Sequence, residues 1–164
     1  MANQSQPSPV PEVQIQSRGA FRVAGLRYEG KGAPGEIPAL WDNQFLPRMD
    51  ELASIRVGRE AYGVSRAKPD FDKTGVFEYL AAVEVKSFDY LPQGMVGWAI
   101  PAQTYAVLPA NDVPGISPML DYYYHQWLLQ SKEYVAADGP MFELYPATYS
   151  QDLIIYLYNP IGPR

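Results

Sequence analysis

The order of predicted elements repeats once along the chain, and this repeat limits the possible folds. Residues 21–86 and 104–161 each predict a strand, a helix and two further strands. Their helices begin with related motifs, Gly35-Glu36-Ile37-Pro38 and Gly115-Ile116-Ser117-Pro118. Such a duplication is typical of pseudo-symmetric folds. We therefore expect an α+β fold in which tandem strand–helix–strand–strand repeats form one antiparallel sheet with a pseudo-two-fold axis. Both helices would lie on one face, with a central cleft where the halves meet.

Periodicity of apolar residues supports the individual elements. Ile37, Leu40, Trp41 and Phe45 have the spacing of one helix face, and alternation over 77–85 predicts a strand. Ser117-Pro118 predicts the start of the second helix, with Ser117 as its N-cap. The segments beginning at Val13 and Phe21 predict two parts of one long strand with a bend between them.

Composition excludes several classes of protein. The chain has 164 residues with a net charge of -5 and no cysteine. A basic nucleic-acid-binding surface, a disulfide framework and a thiolate metal site are therefore not expected. There is no secretory signal and no run of roughly 18 apolar residues, so we expect a cytoplasmic protein that contacts neither membrane nor nucleic acid directly.

The first twelve residues differ in composition from the rest. Pro7, Pro9 and Pro11 stand there among Ser and Gln, without an apolar pattern. We expect residues 1–12 to form a flexible arm that can be deleted without loss of stability. Residues 13–164 are expected to form a single domain.

Tyrosine is unusually abundant, with 13 residues beside 3 Trp and 6 Phe. An excess of Tyr is typical of the amphipathic wall of a pocket or an interface, although a Tyr-rich sheet surface explains it as well. Gly30, Gly32 and Gly35 match G-x-G-x-x-G, but the acidic residue of a dinucleotide site is not at its expected place. We expect no cofactor and no metal site, since His125 is the single histidine.

Glu143 is the most informative acidic residue. It lies in the predicted strand Phe142-Glu143-Leu144-Tyr145, where alternation places Glu143 and Tyr145 on the same face. The segment is apolar and aromatic, and few basic residues lie nearby in sequence. A glutamate in such a strand either faces water or serves as a counter-charge in an aromatic pocket, where it would suit an organic cation.

Several segments between residues 13 and 161, taken in order, have the pattern of a known family. They are Ile37-Pro38-Ala39-Leu40-Trp41, Tyr62-Gly63-Val64, Phe77-Glu78-Tyr79, Val83-Glu84-Val85, Leu91-Pro92-Gln93-Gly94-Met95, Ile100-Pro101-Ala102-Gln103-Thr104-Tyr105-Ala106-Val107, Phe142-Glu143-Leu144-Tyr145 and Tyr158-Asn159-Pro160-Ile161. Together they resemble the GyrI-like family, which includes the effector-binding domains of AraC- and MerR-type multidrug regulators. The resemblance implies a tandem strand–helix–strand–strand fold with a central drug-binding cavity.

The resemblance also implies a set of ligand-binding residues. Glu143 would contact cationic ligands, with Tyr145 as its neighbour on the same face. The walls would come from Trp41, Tyr62, Tyr79, Tyr123 and Tyr158. Asn159 departs from the aliphatic residue usual in the last motif. A helix-turn-helix precedes this domain in regulators of the family, whereas only the arm stands there in this sequence, so we expect a stand-alone form.

Three functions follow as hypotheses. The favoured one is binding or sequestration of amphipathic, cationic aromatic molecules, either alone, as a homodimer or with a separate regulator protein. The second is a GyrI-like hydrolase with Glu143 as general base and a tyrosine as proton donor. The third is a gyrase-inhibitor-like interaction module, against which the modest net charge of -5 argues.

Overall fold

The computed structural model describes residues 11–164 and contains one sheet of nine strands. Their bounds are β1 Gln14–Arg18, β2 Phe21–Gly30, β3 Arg56–Ala67, β4 Phe77–Val85, β5 Val96–Ile100, β6 Gln103–Asn111, β7 Tyr134–Ala136, β8 Met141–Tyr145 and β9 Ile154–Pro163. The predicted arm, residues 1–12, lies almost wholly outside the described residues.

Two long helices connect strands within the halves. The first spans 36–52 and consists of an α-helical turn at Glu36–Ala39, a π-helical segment at Leu40–Phe45 and a 3-10 segment at Leu46–Leu52. The second spans 113–130 and has a π-helical segment at Tyr123–Trp127. Short helices follow at Phe71–Thr74 and Tyr149–Asp152.

The strand order confirms the predicted duplication. The sheet runs β1-β6-β9-β8-β3-β4-β2-β5, with β7 on β9, and every pairing is antiparallel. The second half contributes β6-β9-β8 and the first half contributes β3-β4-β2, so the two halves join where β8 pairs with β3. This arrangement is the predicted α+β sheet with pseudo-two-fold symmetry.

The outer strands form one bent ribbon, as the sequence predicted for β1 and β2. Arg18 of β1 pairs with Gln103 of β6, and Phe21 of β2 pairs with Ile100 of β5. The chain advances three residues from Arg18 to Phe21, while its partner goes back three residues from Gln103 to Ile100. The antiparallel register is therefore continuous across the bend. The ribbon joins opposite ends of the sheet and bends it into a half-barrel.

Side chains alternate between the two faces of the sheet. One face carries a core of Phe21, Val23, Tyr62, Val64, Tyr105 and Phe142 together with their neighbours. On the other face the two helices cover separate clusters, one centred on Phe45, Leu52 and Val83 and the other on Leu108 and Tyr123. Both helices thus lie on the same face, as expected.

Sequence analysis did not predict β5 and β7, and it placed the start of the second helical region at the wrong residue. β5 contains Gly97, and glycine weakens a strand pattern; a Cβ there would lie 2.4 Å from the ring of Phe88, so glycine allows that ring to cross the strand. β7 has only three residues, too few for a periodic signal. Asp112, not Ser117, caps the second helical region, since its side chain accepts a hydrogen bond from the Val113 amide.

The antiparallel sheet argues against dinucleotide binding at the glycine motif Gly30, Gly32 and Gly35, because such binding needs a parallel strand–helix–strand unit. No helix in residues 11–164 combines the length and the apolar character that crossing a membrane requires.

Candidate functional site

A cavity of about 500 Å³ lies on the helix face, where the starts of both long helices meet the centre of the sheet. The first helix contributes Ile37 and Trp41, the second helical region contributes Ile116, and the sheet contributes Tyr79 and Glu143. Such a volume falls within the range of about 300–1,000 Å³ that is usual for small-molecule sites. The cleft predicted at the junction of the halves is therefore present.

Gly63 allows the two halves to meet in this cavity. Tyr79 on β4 and Glu143 on β8 stand on opposite sides of β3, and Gly63 lies between them. A Cβ at Gly63 would come within 2.0 Å of the Tyr79 hydroxyl and 2.6 Å of Glu143 Oε1. The bare backbone therefore lets the Tyr79 ring cross β3 and reach the carboxylate.

A chain of hydrogen bonds holds Glu143. The Trp41 indole N–H donates to the Tyr79 hydroxyl at 2.8 Å, and that hydroxyl donates to Glu143 Oε1 at 3.0 Å. The Tyr145 hydroxyl donates to the same oxygen, also at 3.0 Å. Oε2 accepts no hydrogen bond from residues 11–164, so it is available to a ligand.

Burial makes the charge on Glu143 costly. Desolvation raises the pKa of its carboxyl, and the hydrogen bonds from Tyr145 and Tyr79 offset this shift only in part. Within the described chain Glu143 takes part in no salt bridge, and no basic residue lines the cavity. A cation that enters the cavity would supply the missing partner and stabilise the ionised form of this carboxyl group.

Aromatic rings form one wall of the cavity. The rings of Trp41 and Tyr145 lie 5.4 Å apart, and Tyr149 meets Tyr145 edge to face at 5.2 Å. The Tyr149 hydroxyl donates to Asp112 Oδ1, which ties the turn after β8 to the start of the second helical region. Burial and, as a smaller cause, this hydrogen bond to Asp112 together raise the pKa of Tyr149 to about 12.

The mouth of the cavity is apolar with one acidic group. Leu46 and Val113 line it and remain 46 % and 47 % exposed. Asp42, on the π-helical segment of the first helix, also lines it and is exposed to solvent. The site therefore has a partly buried acid on its floor and a solvated acid at its entrance.

The structure brings together four of the seven residues that the sequence and the resemblance singled out: Trp41, Tyr79, Glu143 and Tyr145. Tyr62 and Tyr158 point to the opposite face of the sheet, because strand alternation places them with the core around Phe142. Tyr123 lies on the helix face but packs against Ala106 and Leu108, away from this cavity. These three therefore do not line it.

Sequence analysis missed Tyr149, Asp42 and the role of Gly63. Tyr149 follows Tyr145 by four residues, and this proximity was the one available signal. Asp42 directly follows Trp41, but nothing in the sequence shows that the widened π-helical turn brings it to the cavity. The role of Gly63 depends on the register of three strands, which a single sequence does not contain.

Comparison with known sequences identifies relatives of the chain. The family described as Cass2, integron-associated effector binding protein, matches residues 14–161. The transcriptional regulator BrlR of Pseudomonas aeruginosa is 40 % identical over 94 residues. That alignment covers 57 % of this chain and 33 % of BrlR, so the matched part is about a third of the regulator.

Solved structures share the fold at low sequence identity. SAV2435 bound to tetraphenylphosphonium superposes with a TM-score of 0.71 at 18 % identity, covering 92 % of this chain and 94 % of SAV2435. The integron cassette protein VCH_CASS2 of Vibrio cholerae gives a TM-score of 0.59 at 15 % identity, with coverage of 92 % and 95 %. The family match over residues 14–161 and this shared architecture confirm the resemblance found in the sequence: the chain belongs to the Cass2 family of GyrI-like effector-binding domains.

Proposed function

We propose that the cavity between the helices binds lipophilic organic cations, with Glu143 as their counter-charge. The observation that carries this proposal is a carboxylate whose burial raises its pKa and whose cavity holds no basic residue among those described. A cation that enters restores the missing pairing in a medium where charges interact more strongly than in water.

The walls suit the rest of such a ligand. Aromatic groups of the ligand stack on Trp41, Tyr145 and Tyr149, and its charge lies over ring faces that attract cations. Glu143 Oε2 accepts no hydrogen bond from the described residues, so it can pair with the charge of the ligand. The apolar mouth at Leu46 and Val113 favours ligands with little polar surface.

The relatives support this proposal. SAV2435 was solved with tetraphenylphosphonium, a bulky aromatic cation, in the same fold. BrlR is a transcriptional regulator, and the family is described as effector-binding. A sensing or sequestering role for the cation site follows as the wider proposal.

The test uses three ligands of similar shape and different charge. We expect calorimetric titration to show saturable binding of tetraphenylphosphonium, weaker binding of neutral triphenylphosphine oxide and none of the isosteric anion tetraphenylborate. Equal affinities for the two charged isosteres would contradict the proposal, because shape alone would then account for binding.

Hydrolysis is the alternative use of the same residues. Glu143 with a free Oε2 has the position of a general base, but its tyrosine neighbours are poor proton donors. Burial raises the pKa of both Tyr79 and Tyr145 far above neutral pH, whereas an efficient general acid has a pKa near the working pH. Binding is therefore the function that the cavity supports better.

A further inference from the structure

β1 forms one end of the sheet, and its outer edge is open. Within residues 11–164 it pairs with β6 alone, so the backbone N–H and C=O groups along its other side have no strand partner there. Gln14, Ile15 and Ser17 are exposed, and no residue of the strand is buried. An open edge of this kind is a template on which another strand can pair.

The opposite end of the sheet is protected, whereas β1 is not. The Phe88 ring crosses β5 at Gly97, and both Trp98 and Ile100 of that strand are buried. Natural edges are commonly blunted by proline, lysine or a β-bulge. β1 pairs with β6 residue for residue over its whole length, and its sequence contains neither proline nor lysine. Nothing in β1 therefore opposes the addition of a strand.

An apolar groove follows this open edge on the helix face. Its volume is about 550 Å³, and Val13, Ile15, Trp127 and Tyr134 are among the residues that line it. The rings of Trp127 and Tyr134 stack with centroids 6.4 Å apart. Ile15 remains 41 % exposed. A strand added to β1 would place the side chains of this face over the groove and cover Ile15.

The sequence of β1 is suited to pairing with a second copy of itself. Opposite residues in an antiparallel ladder form the same kind of pair, so the two-fold axis of a self-pairing strand passes through a residue. An axis at Ile15 places Glu12 opposite Arg18 of the second copy and Ile15 opposite Ile15. An axis at Gln14 or Gln16 leaves Arg18 opposite an uncharged residue. Opposite charges and apolar pairs are the favourable cross-strand neighbours, so the axis at Ile15 is preferred.

Both charged groups are available for this contact. Arg18 uses Nη2 to donate to the Tyr62 hydroxyl at 2.8 Å and to Glu84 Oε1 at 3.2 Å. Its other guanidinium nitrogens form no hydrogen bond with residues 11–164. Glu12 is exposed and has no salt bridge in that part of the chain. The guanidinium is thus held in place and can still receive a carboxylate.

We infer that the chain forms a two-fold homodimer in which β1 pairs antiparallel with β1 of a second copy, with the axis at Ile15. The two sheets become one continuous sheet across the contact. Glu12 pairs with Arg18 at each end of the ladder, and the two Ile15 side chains meet at its centre. Neither Glu12 nor Ile15 lines the cavity that holds Glu143, so the inference is separate from the proposed cation site.

The first experiment tests the register by disulfide cross-linking. The chain has no cysteine, so Ile15→Cys introduces a single thiol. Opposite Cα atoms in an antiparallel ladder lie about 4.5–5.5 Å apart, within the roughly 4.4–6.8 Å that a disulfide spans. Mild oxidation should therefore give a covalent dimer. Ser17→Cys is the matched control, since it is also exposed, but the inferred register puts it roughly 13 Å from its counterpart.

The second experiment measures dimerisation without a cross-link. Sedimentation of the full chain at rising concentration should show a reversible dimer. Glu12→Lys puts like charges opposite each other at both ends of the ladder and should raise the dimer dissociation constant about tenfold or more. Asp121→Lys is the control, because it makes the same change in net charge at an exposed helical position away from β1. That variant should dimerise as well as wild type.

Several results would overturn the inference. A chain that stays monomeric up to about 1 mM would have no use for the open edge. Equal cross-linking of Ile15→Cys and Ser17→Cys would show collision rather than pairing, and faster cross-linking of Gln16→Cys would place the axis at the wrong residue. Equal dissociation constants for Glu12→Lys and Asp121→Lys would remove the Glu12–Arg18 contact.

Discussion

Gly63 and Glu143 occupy corresponding positions in the two halves of the molecule and pair with each other across the junction of β3 and β8. They are as far apart in sequence as Gly35 and Gly115, the glycines before the two helices. Position 63 is a glycine without a side chain, whereas position 143 carries a partly buried carboxyl group. The first half gives space together with Trp41 and Tyr79, and the second half gives the charge together with Tyr145. The comparison shows that a duplicated frame makes this site only because its halves have diverged.

Filling the empty position should have the largest effect. Gly63→Ala places a Cβ within 2.0 Å of the Tyr79 hydroxyl, so the ring must leave its place over β3. We expect unfolding free energy to fall by about 1–3 kcal/mol and tetraphenylphosphonium affinity by more than about a hundredfold. Thermal unfolding and calorimetry measure both effects.

The control for this change is Gly19→Ala, because a Cβ there meets nothing within 4 Å. That variant should keep both stability and affinity. If Gly63→Ala behaved in the same way, Tyr79 would not depend on the space above β3.

Neutralising the charged position comes next. Glu143→Gln keeps the size of the side chain, and we expect cation affinity to fall tenfold to a hundredfold, about 1.4–2.8 kcal/mol. Affinity for triphenylphosphine oxide should change little, since the aromatic wall remains. Stability without ligand should hold or rise, because the substitution removes a buried negative charge that has no positive partner.

Equal losses for the cation and the neutral ligand would instead mean that Glu143 only shapes the cavity. No loss for either ligand would remove Glu143 from the site.

Weakening the support of the charge should shift the pH dependence. Burial raises the pKa of Glu143 above its ordinary 4.5, so cation affinity should fall as pH falls through that raised pKa. Tyr145→Phe removes one of the hydrogen bonds that lower this pKa, so the midpoint should move to higher pH. Near that midpoint affinity should fall about two- to tenfold.

The folding stability of the ligand-free protein should depend on pH in the opposite direction to the cation affinity. The folded state binds the Glu143 proton more tightly than the unfolded state, so this group stabilises the fold most at low pH and the contribution is lost as pH rises. Affinity across pH checks the first statement, and the unfolding free energy of the ligand-free protein across pH checks the second, each for wild type, Tyr145→Phe and the control Tyr122→Phe. Coinciding profiles for all three proteins would contradict them.

The smallest effect is expected at the entrance. Asp42→Asn also removes one negative charge from the cavity lining, but from an exposed position where water and salt screen it. We expect cation affinity to fall less than about fivefold at low salt and to match wild type near 1 M salt. A loss as large as that of Glu143→Gln would show that the floor and the entrance contribute equally.

Much of the fold could be predicted because it depends on local patterns. Alternation predicts that Glu143 and Tyr145 share one face, and the two helix-start motifs are enough to indicate the duplication. The bend between β1 and β2 was also visible in the apolar pattern around Gly19.

The site could be predicted only in part, because its membership depends on strand register. Tyr62 lies on β3, which borders the cavity, and Tyr158 lies on the neighbouring β9, yet strand alternation puts both side chains on the far face. Tyr123 satisfied the helical pattern of a wall residue, but the turn of the helix directs it toward Leu108. These three residues show that a list of nearby aromatics does not define a pocket.

The bent ribbon determines the order in which the molecule can assemble. β1, at the start of the described chain, pairs with β6, so Arg18 must wait for Gln103, which lies more than half the chain away. Contacts between such distant residues close large loops and form slowly. During synthesis β2, β3 and β4 can pair as soon as they emerge, whereas β5 and β6 complete the ribbon only afterwards. Tyr79 can therefore be in place before Glu143 has been made, and the second half of the chain then adds the acid to a partly formed cavity.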